Sequence, residues 1–153
     1  MLGCVHRRIE TALKRSGIEM VACDNLVDRI WSDRPAPPAE PVVDHPVDLA
    51  GQTTAAKLDA LVERLRDAGQ SAAILTAPDS ICWLLNIRGN DIPRVPVMQG
   101  VAIVTDAGKC LVFATPRDFS AVAPGGDTIA FADVADFAEA LSELTGPVRV
   151  DKA

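Results

Sequence analysis

Five prolines fall within twelve residues, at Pro35, Pro37, Pro38, Pro41 and Pro46, and they bar this stretch from any helix interior or central strand. The stretch reads as an extended linker covering residues 25–49. It separates a short leading segment, 1–24, from a longer unit, 50–153, and the fold must be sought mainly in the longer one.

The leading segment begins with a short helix over Val5 to Ser16, where Ile9 and Leu13 stand at i, i+4 among Arg and Lys and Gly17 supplies the stop. The apolar run Ile18 to Cys23 has the character of a strand. After residue 50 a regular alternation sets in. Thr53 or Thr54 caps a helix whose Leu58, Leu61, Val62, Leu65 and Ala68 form one stripe before Gly69. Ser71 to Thr76 is a short buried strand, and Pro78 opens a helix through Ser80, Ile81, Trp83 and Leu84 that ends before a loop enforced by Gly89 and Pro93.

Val97 to Thr105 and Lys109 to Ala114 form an antiparallel hairpin about Asp106-Ala107-Gly108. A helical turn is expected around Arg117 to Val122, then a strand at Thr128 to Phe131. Asp133 caps a last helix with Val134, Phe137, Leu141 and Leu144 on one face, stopped by Gly146-Pro147, and Val148 to Val150 forms a final strand. The expected class is α/β: a mixed β-sheet flanked by helices. The polar end Asp151-Lys152-Ala153, directly after a strand, reads as a cut edge.

At 153 residues, 48 % hydrophobic and 24 % charged, the chain has the balance of a globular protein that folds without a metal or disulfide staple. A net charge of −6 without a basic stripe argues against nucleic acid as a partner. No apolar run has the length of a membrane span, and the N-terminus lacks a signal-peptide core, so a cytoplasmic location is expected.

Chemistry-bearing residues are sparse. Cys4, Cys23, Cys82 and Cys110 lack any paired C-x-x-C spacing and read as free, small buried hydrophobes. The only histidines are His6 in the first helix and His45 in the linker, both expected outside the folded unit and neither with a metal-ligand partner at helical spacing. Carboxylate pairs such as Asp24 with Asp28 and Asp133 with Asp136 read as solvated residues and caps. Gly125-Gly126 follows Pro124 in a turn and does not form a phosphate loop. No catalytic residue, metal ligand or cofactor site emerges.

The most suggestive stretch is Asn86-Ile87-Arg88-Gly89-Asn90-Asp91-Ile92-Pro93, which sets an arginine, an amide and a carboxylate beside a glycine. Such a loop can hold a ligand carboxylate through a guanidinium fork. The alternative is a local pair between Arg88 and Asp91, with Asn90 supporting a turn.

The stretch from Asn25 to Pro38, NLVDRIWSDRPAPP, closely resembles the linker between the two N-terminal domains of the three-domain, cytosolic Xaa-Pro aminopeptidases of the creatinase/prolidase superfamily. A second stretch, Ala77 to Pro93, resembles the second domain of that family at its D-x-I-x-W-L-x-N-x-R-G-x-D motif. The resemblance implies a creatinase N-terminal fold similar to ribonuclease H. It implies that residues 1–24 end a first domain and that 50–153 form the second. It also implies that catalysis belongs to an absent third domain of pita-bread fold, in which two divalent ions, usually manganese, activate water.

On this reading the chain is a non-catalytic portion of a metallopeptidase that cleaves before proline. Arg88, Asn90 and Asp91 then sit on a substrate-access loop, and the partners are the absent catalytic domain, proline-containing peptides and a second copy in a homodimer. The alternatives are a free-standing binding or regulatory module pairing with a separate catalytic chain, and an unrelated α/β enzyme with Cys82 as nucleophile.

Overall fold

The computed structural model describes residues 2–21, 23–122 and 126–151, with side chains in the first helix described from Ile9 onward. The described residues fall into two units, one ending at Ala36 and the other running from Pro37 to Asp151. The proposed turn at Pro124-Gly125 and the end at Lys152-Ala153 lie outside the described residues.

The first unit holds α1 (Leu2–Arg15) and α2 (Leu26–Ile30). Glu10 and Lys14 pair across one turn of α1 at 2.8 Å, an exposed i, i+4 contact worth a few tenths of a kcal/mol, about 0.3–0.5. The Asn25 side chain caps α2 by accepting from the Val27 N–H. The apolar run from Ile18 forms no strand among its described residues, a correction to the expectation. Ile18, Met20 and Val21 are exposed, so among the described residues of this unit nothing gives a strand a ladder or a face to bury.

The second unit opens with β1 (Val43–Asp44), inside the stretch expected to be linker, and the helical turn α3 (Val47–Ala50), which runs past its end by one residue. Then follow α4 (Thr54–Asp67), β2 (Ala72–Leu75), α5 (Pro78–Leu85), β3 (Ile87–Arg88), β4 (Gly100–Thr105), β5 (Cys110–Ala114), β6 (Ile129–Asp133), α6 (Phe137–Ser142) and β7 (Val148–Arg149). The Thr53 hydroxyl caps α4, and Asp133 caps a 3-10 turn over Val134–Asp136 that leads into α6. The expected helical turn at Arg117 to Val122 is a plain turn instead. There Asp118 accepts from the Ser120 N–H and so closes the backbone without a helix.

Five strands make a mixed sheet in the order β6-β5-β4-β2-β7, with β2-β4 and β4-β5 antiparallel and the two outer pairings parallel. The alternation of side chains sorts the core onto two faces. Ala102, Val104, Cys110, Val112 and Ala114 point to the side of α4 and α5, where Leu58, Val62, Ile81, Leu84 and Leu85 are buried. Ile103 and Phe113 point to the opposite side and meet Phe137, Leu141 and Leu144. Phe113 and Phe137 contact edge to face at 5.3 Å. The α/β expectation of a mixed sheet covered by helices holds.

A separate two-stranded ladder joins β1 to β3, with Val43 opposite Arg88 and Asp44 opposite Ile87. Between β3 and β4 the backbone of Gly89 lies against that of Met98 so closely that an added Cβ would stand 2.7 Å from the Met98 nitrogen. That contact requires glycine. Gly89→Ala is expected to lower the midpoint of urea unfolding by an amount corresponding to about 1–3 kcal/mol. An unchanged midpoint would mean that the two backbones are not in contact.

Candidate functional site

The sequence motif at the end of α5 becomes a compact bracket. Asn86 ends the helix in the left-handed conformation (φ 53°, ψ 47°), which asparagine tolerates better than other non-glycine residues. Its side-chain amide donates to the Gln52 carbonyl at 2.8 Å, and its own carbonyl accepts from the His45 N–H at 2.7 Å. Lys57 of α4 is buried beneath this corner. Its Nζ donates to the Trp83 carbonyl at 2.7 Å and to Asn86 Oδ1 at 2.6 Å, and stands 4.3 Å from the centre of the Trp83 ring. Burial, and then the like charge of Arg88, lower the Lys57 pKa. The charge is placed to offset the carbonyl end of the α5 dipole.

The three residues singled out from the sequence have different fates. Asp91 is fully buried as a side chain and pairs at 2.8 Å with Arg117, itself 2 % exposed. The expected local pair with Arg88 is thereby corrected. Asp91 Oδ1 also accepts from the Glu40 N–H at 3.2 Å and Oδ2 from the Gln99 N–H at 2.7 Å. Burial acts to raise the Asp91 pKa, but the Arg117 hydrogen bond and charge and the two backbone donors outweigh it and hold the carboxyl below its usual range. Asp91 is committed to the fold and is not free to meet a ligand.

Arg88 is half-buried, and its Nη1 donates to the Ile87 carbonyl at 2.8 Å and to the Cys82 carbonyl at 3.5 Å. Its Nε and Nη2 make no hydrogen bond among the described residues and are not fully enclosed. Asn90 is exposed beside it.

Arg117 is the residue that reading the sequence missed. Its Nε donates to the Thr115 carbonyl, Nη1 to Glu40 as well as Asp91, and Nη2 to the Pro38 carbonyl at 3.1 Å. The proline stretch is thus bound at Pro38 and Glu40, and Val42 is buried in the core behind it.

Other candidates lose ground. Cys82 is buried, accepts from the Met98 N–H at 3.3 Å, and has a thiol pKa raised mainly by burial, which does not suit a nucleophile. Burial pushes Cys110 up to about 12. Cys23 is exposed, against the expectation of a buried thiol. His45 lies within the second unit and not outside it. Among the described residues no three His, Cys, Asp or Glu side chains gather as metal ligands.

A family model described as the creatinase/prolidase N-terminal domain matches residues 33–153. The chain belongs to this family. Among its relatives, a probable Xaa-Pro aminopeptidase P of Neosartorya fischeri is 43 % identical over 101 residues, covering 65 % of this chain and 15 % of the relative. The corresponding protein of Leptosphaeria maculans is 39 % identical over 100 residues, covering 65 % and 16 %.

An X-prolyl aminopeptidase from Caenorhabditis elegans, described as a cytosolic enzyme with a di-nuclear active site, superposes with a TM-score of 0.76 at 30 % identity. That match covers 90 % of this chain and 23 % of the worm protein. The creatinase/prolidase N-terminal domain described here therefore spans about a sixth of the length of the curated relatives it matches. It is an N-terminal domain of the kind found in Xaa-Pro aminopeptidase-like proteins. None of its described helices is long and apolar enough to cross a membrane.

The buried pair makes stability depend on acid. A carboxyl whose pKa is depressed by folding contributes stability that is complete above its unfolded value of roughly 3.9 and is lost as pH falls through the folded value. Asp91→Asn, which leaves Arg117 buried without a counter-charge, is expected to cost roughly 3–5 kcal/mol near neutral pH. Urea unfolding of both proteins across pH should show this difference shrinking below about pH 4. A difference constant down to pH 2 would contradict the ionised pair.

Proposed function

We propose that this chain is the non-catalytic N-terminal portion of a metal-dependent Xaa-Pro aminopeptidase, and that its loop 88–91 borders the path of proline-containing peptides to a catalytic cleft in another domain. The family match and the likeness to the worm enzyme support this reading. The two divalent ions, usually manganese in such enzymes, belong to that other domain. In the same reading residues 1–24 end a preceding domain, residues 25–49 connect it to the next, the whole enzyme is cytoplasmic, and it assembles as a homodimer.

The observation that carries the proposal is the contrast within one loop. Asp91 is sunk and fully bonded, while Arg88 is half-buried with Nε and Nη2 unbonded and Asn90 is exposed. A guanidinium held on a rigid base suits recognition of peptide carbonyl or carboxylate oxygens. Arg88 would bind substrate and transition state alike, so its loss should act mainly on KM.

In a full-length enzyme carrying this domain, Arg88→Ala is expected to raise KM for Xaa-Pro peptides by roughly tenfold, the effect of about 1.4 kcal/mol, with a smaller change in kcat. The 153-residue chain alone should release no N-terminal residue from the same peptides. Unchanged kinetics in the variant would withdraw the access role.

A further inference from the structure

We propose that the strap 37–45 and the loop 86–91 release from each other and from the edge of β4 in one cooperative step, latched by Arg117, which acts as a positioning residue for Arg88. The inference rests on the access role of that loop for its functional meaning, but the latch itself stands on geometry within the second unit.

The strap and loop are joined at three places along their length. At one end the Arg117 guanidinium holds the Pro38 and Glu40 carbonyls while binding Asp91, and Asp91 receives the Glu40 N–H on the same oxygen. In the middle, β1 and β3 pair with Val43 opposite Arg88, so the backbone that carries the Arg88 guanidinium is itself a ladder partner of the strap. At the far end the His45 N–H donates to the Asn86 carbonyl. Val42, at 1 % exposure, fills the core between the first two joints.

A two-residue ladder is too short to be stable by itself. The strap also has prolines at 37, 38 and 41, none of which can donate a backbone hydrogen bond. What holds it is therefore the ion-pair cluster together with Val42. Asp91 distributes its two oxygens, one to the strap through Glu40 and one to Gln99 just before β4. Opening the cluster releases both sides at once, and the hydrogen bonds of β3 on the strap are lost with them. Any force or partner acting on the strap then reaches Arg88 through its own backbone, and by linkage a ligand on Arg88 tightens the strap.

Amide hydrogen exchange on the 153-residue chain tests the latch without reference to peptide hydrolysis. The Glu40, Gln99 and His45 amides should share one protection factor, distinct from those of Ala102 to Val104 in β4. Arg117→Met should reduce that shared protection by at least about tenfold while β4 changes less. Arg117→Lys should restore it only in part, because an ammonium lacks the fork that reaches Pro38, Glu40, Thr115 and Asp91 together.

Unequal protection of Glu40 and Gln99 in the unmodified chain would overturn the proposal, even if Arg117→Met failed to fold. So would a variant that frees Glu40 and leaves Gln99 protected. If the exchange result holds while Arg88→Ala leaves KM unchanged in the full-length enzyme, the latch stands and the access role falls. The reverse pair of outcomes separates the two equally well.

Discussion

The structure of the second unit turns on one buried charge pair. Asp91 and Arg117 are both withdrawn from water, which costs several kcal/mol per ion before any compensation, on the order of what a small domain has in reserve. Compensation is thorough here. The carboxylate accepts from the guanidinium and two backbone N–H groups, and the guanidinium donates to three carbonyls besides. Replacing the pair by apolar groups would leave those backbone groups unsatisfied, so the pair specifies where three segments meet. Without it the proline stretch would be held by Val42, a two-residue ladder and the single His45 hydrogen bond to Asn86.

The sheet supplies the rigid base for this junction. β4 and β5 are central, flanked on both sides and buried on both faces, and the segment between β3 and β4 passes straight from the loop into the sheet. Gly89 against Met98 brings that segment close enough for Gln99 to reach Asp91. On the other side of the loop, Lys57 and Asn86 tie the end of α5 to α4. The loop is thus fixed at both ends by polar groups, between which Arg88 keeps Nε and Nη2 unbonded.

Much of this fold was legible in the sequence because it is written in local periodicity. The stripe Leu58, Leu61, Val62, Leu65 gave α4, Pro78 marked the start of α5, and the turn at Gly108 gave the hairpin of β4 and β5. Where signals were not local, the reading failed. Asp91 stands three residues from Arg88 in sequence but binds an arginine 26 residues away, and that arginine reaches carbonyls 77 and 79 residues back. No spacing rule connects residues so far apart. Ile18 to Cys23 looked like a strand because β-branched and apolar residues fit a pleated surface, but a strand also needs a neighbour. The proline stretch was read as a spacer from what proline cannot do. Its binding depends on carbonyls, which proline retains.

The order of these segments along the chain has a consequence for synthesis. Pro38 and Glu40 leave the ribosome well before Arg117, and at about 5–20 residues per second a gap of 77 to 79 residues lasts roughly 4–16 s. Throughout that interval the strap has no guanidinium to bind. β1 can meet β3 after about 45 residues, but it must do so with Asp91 still lacking its counter-charge. The nascent chain therefore completes the strap long after making it, when the loop after β5 emerges.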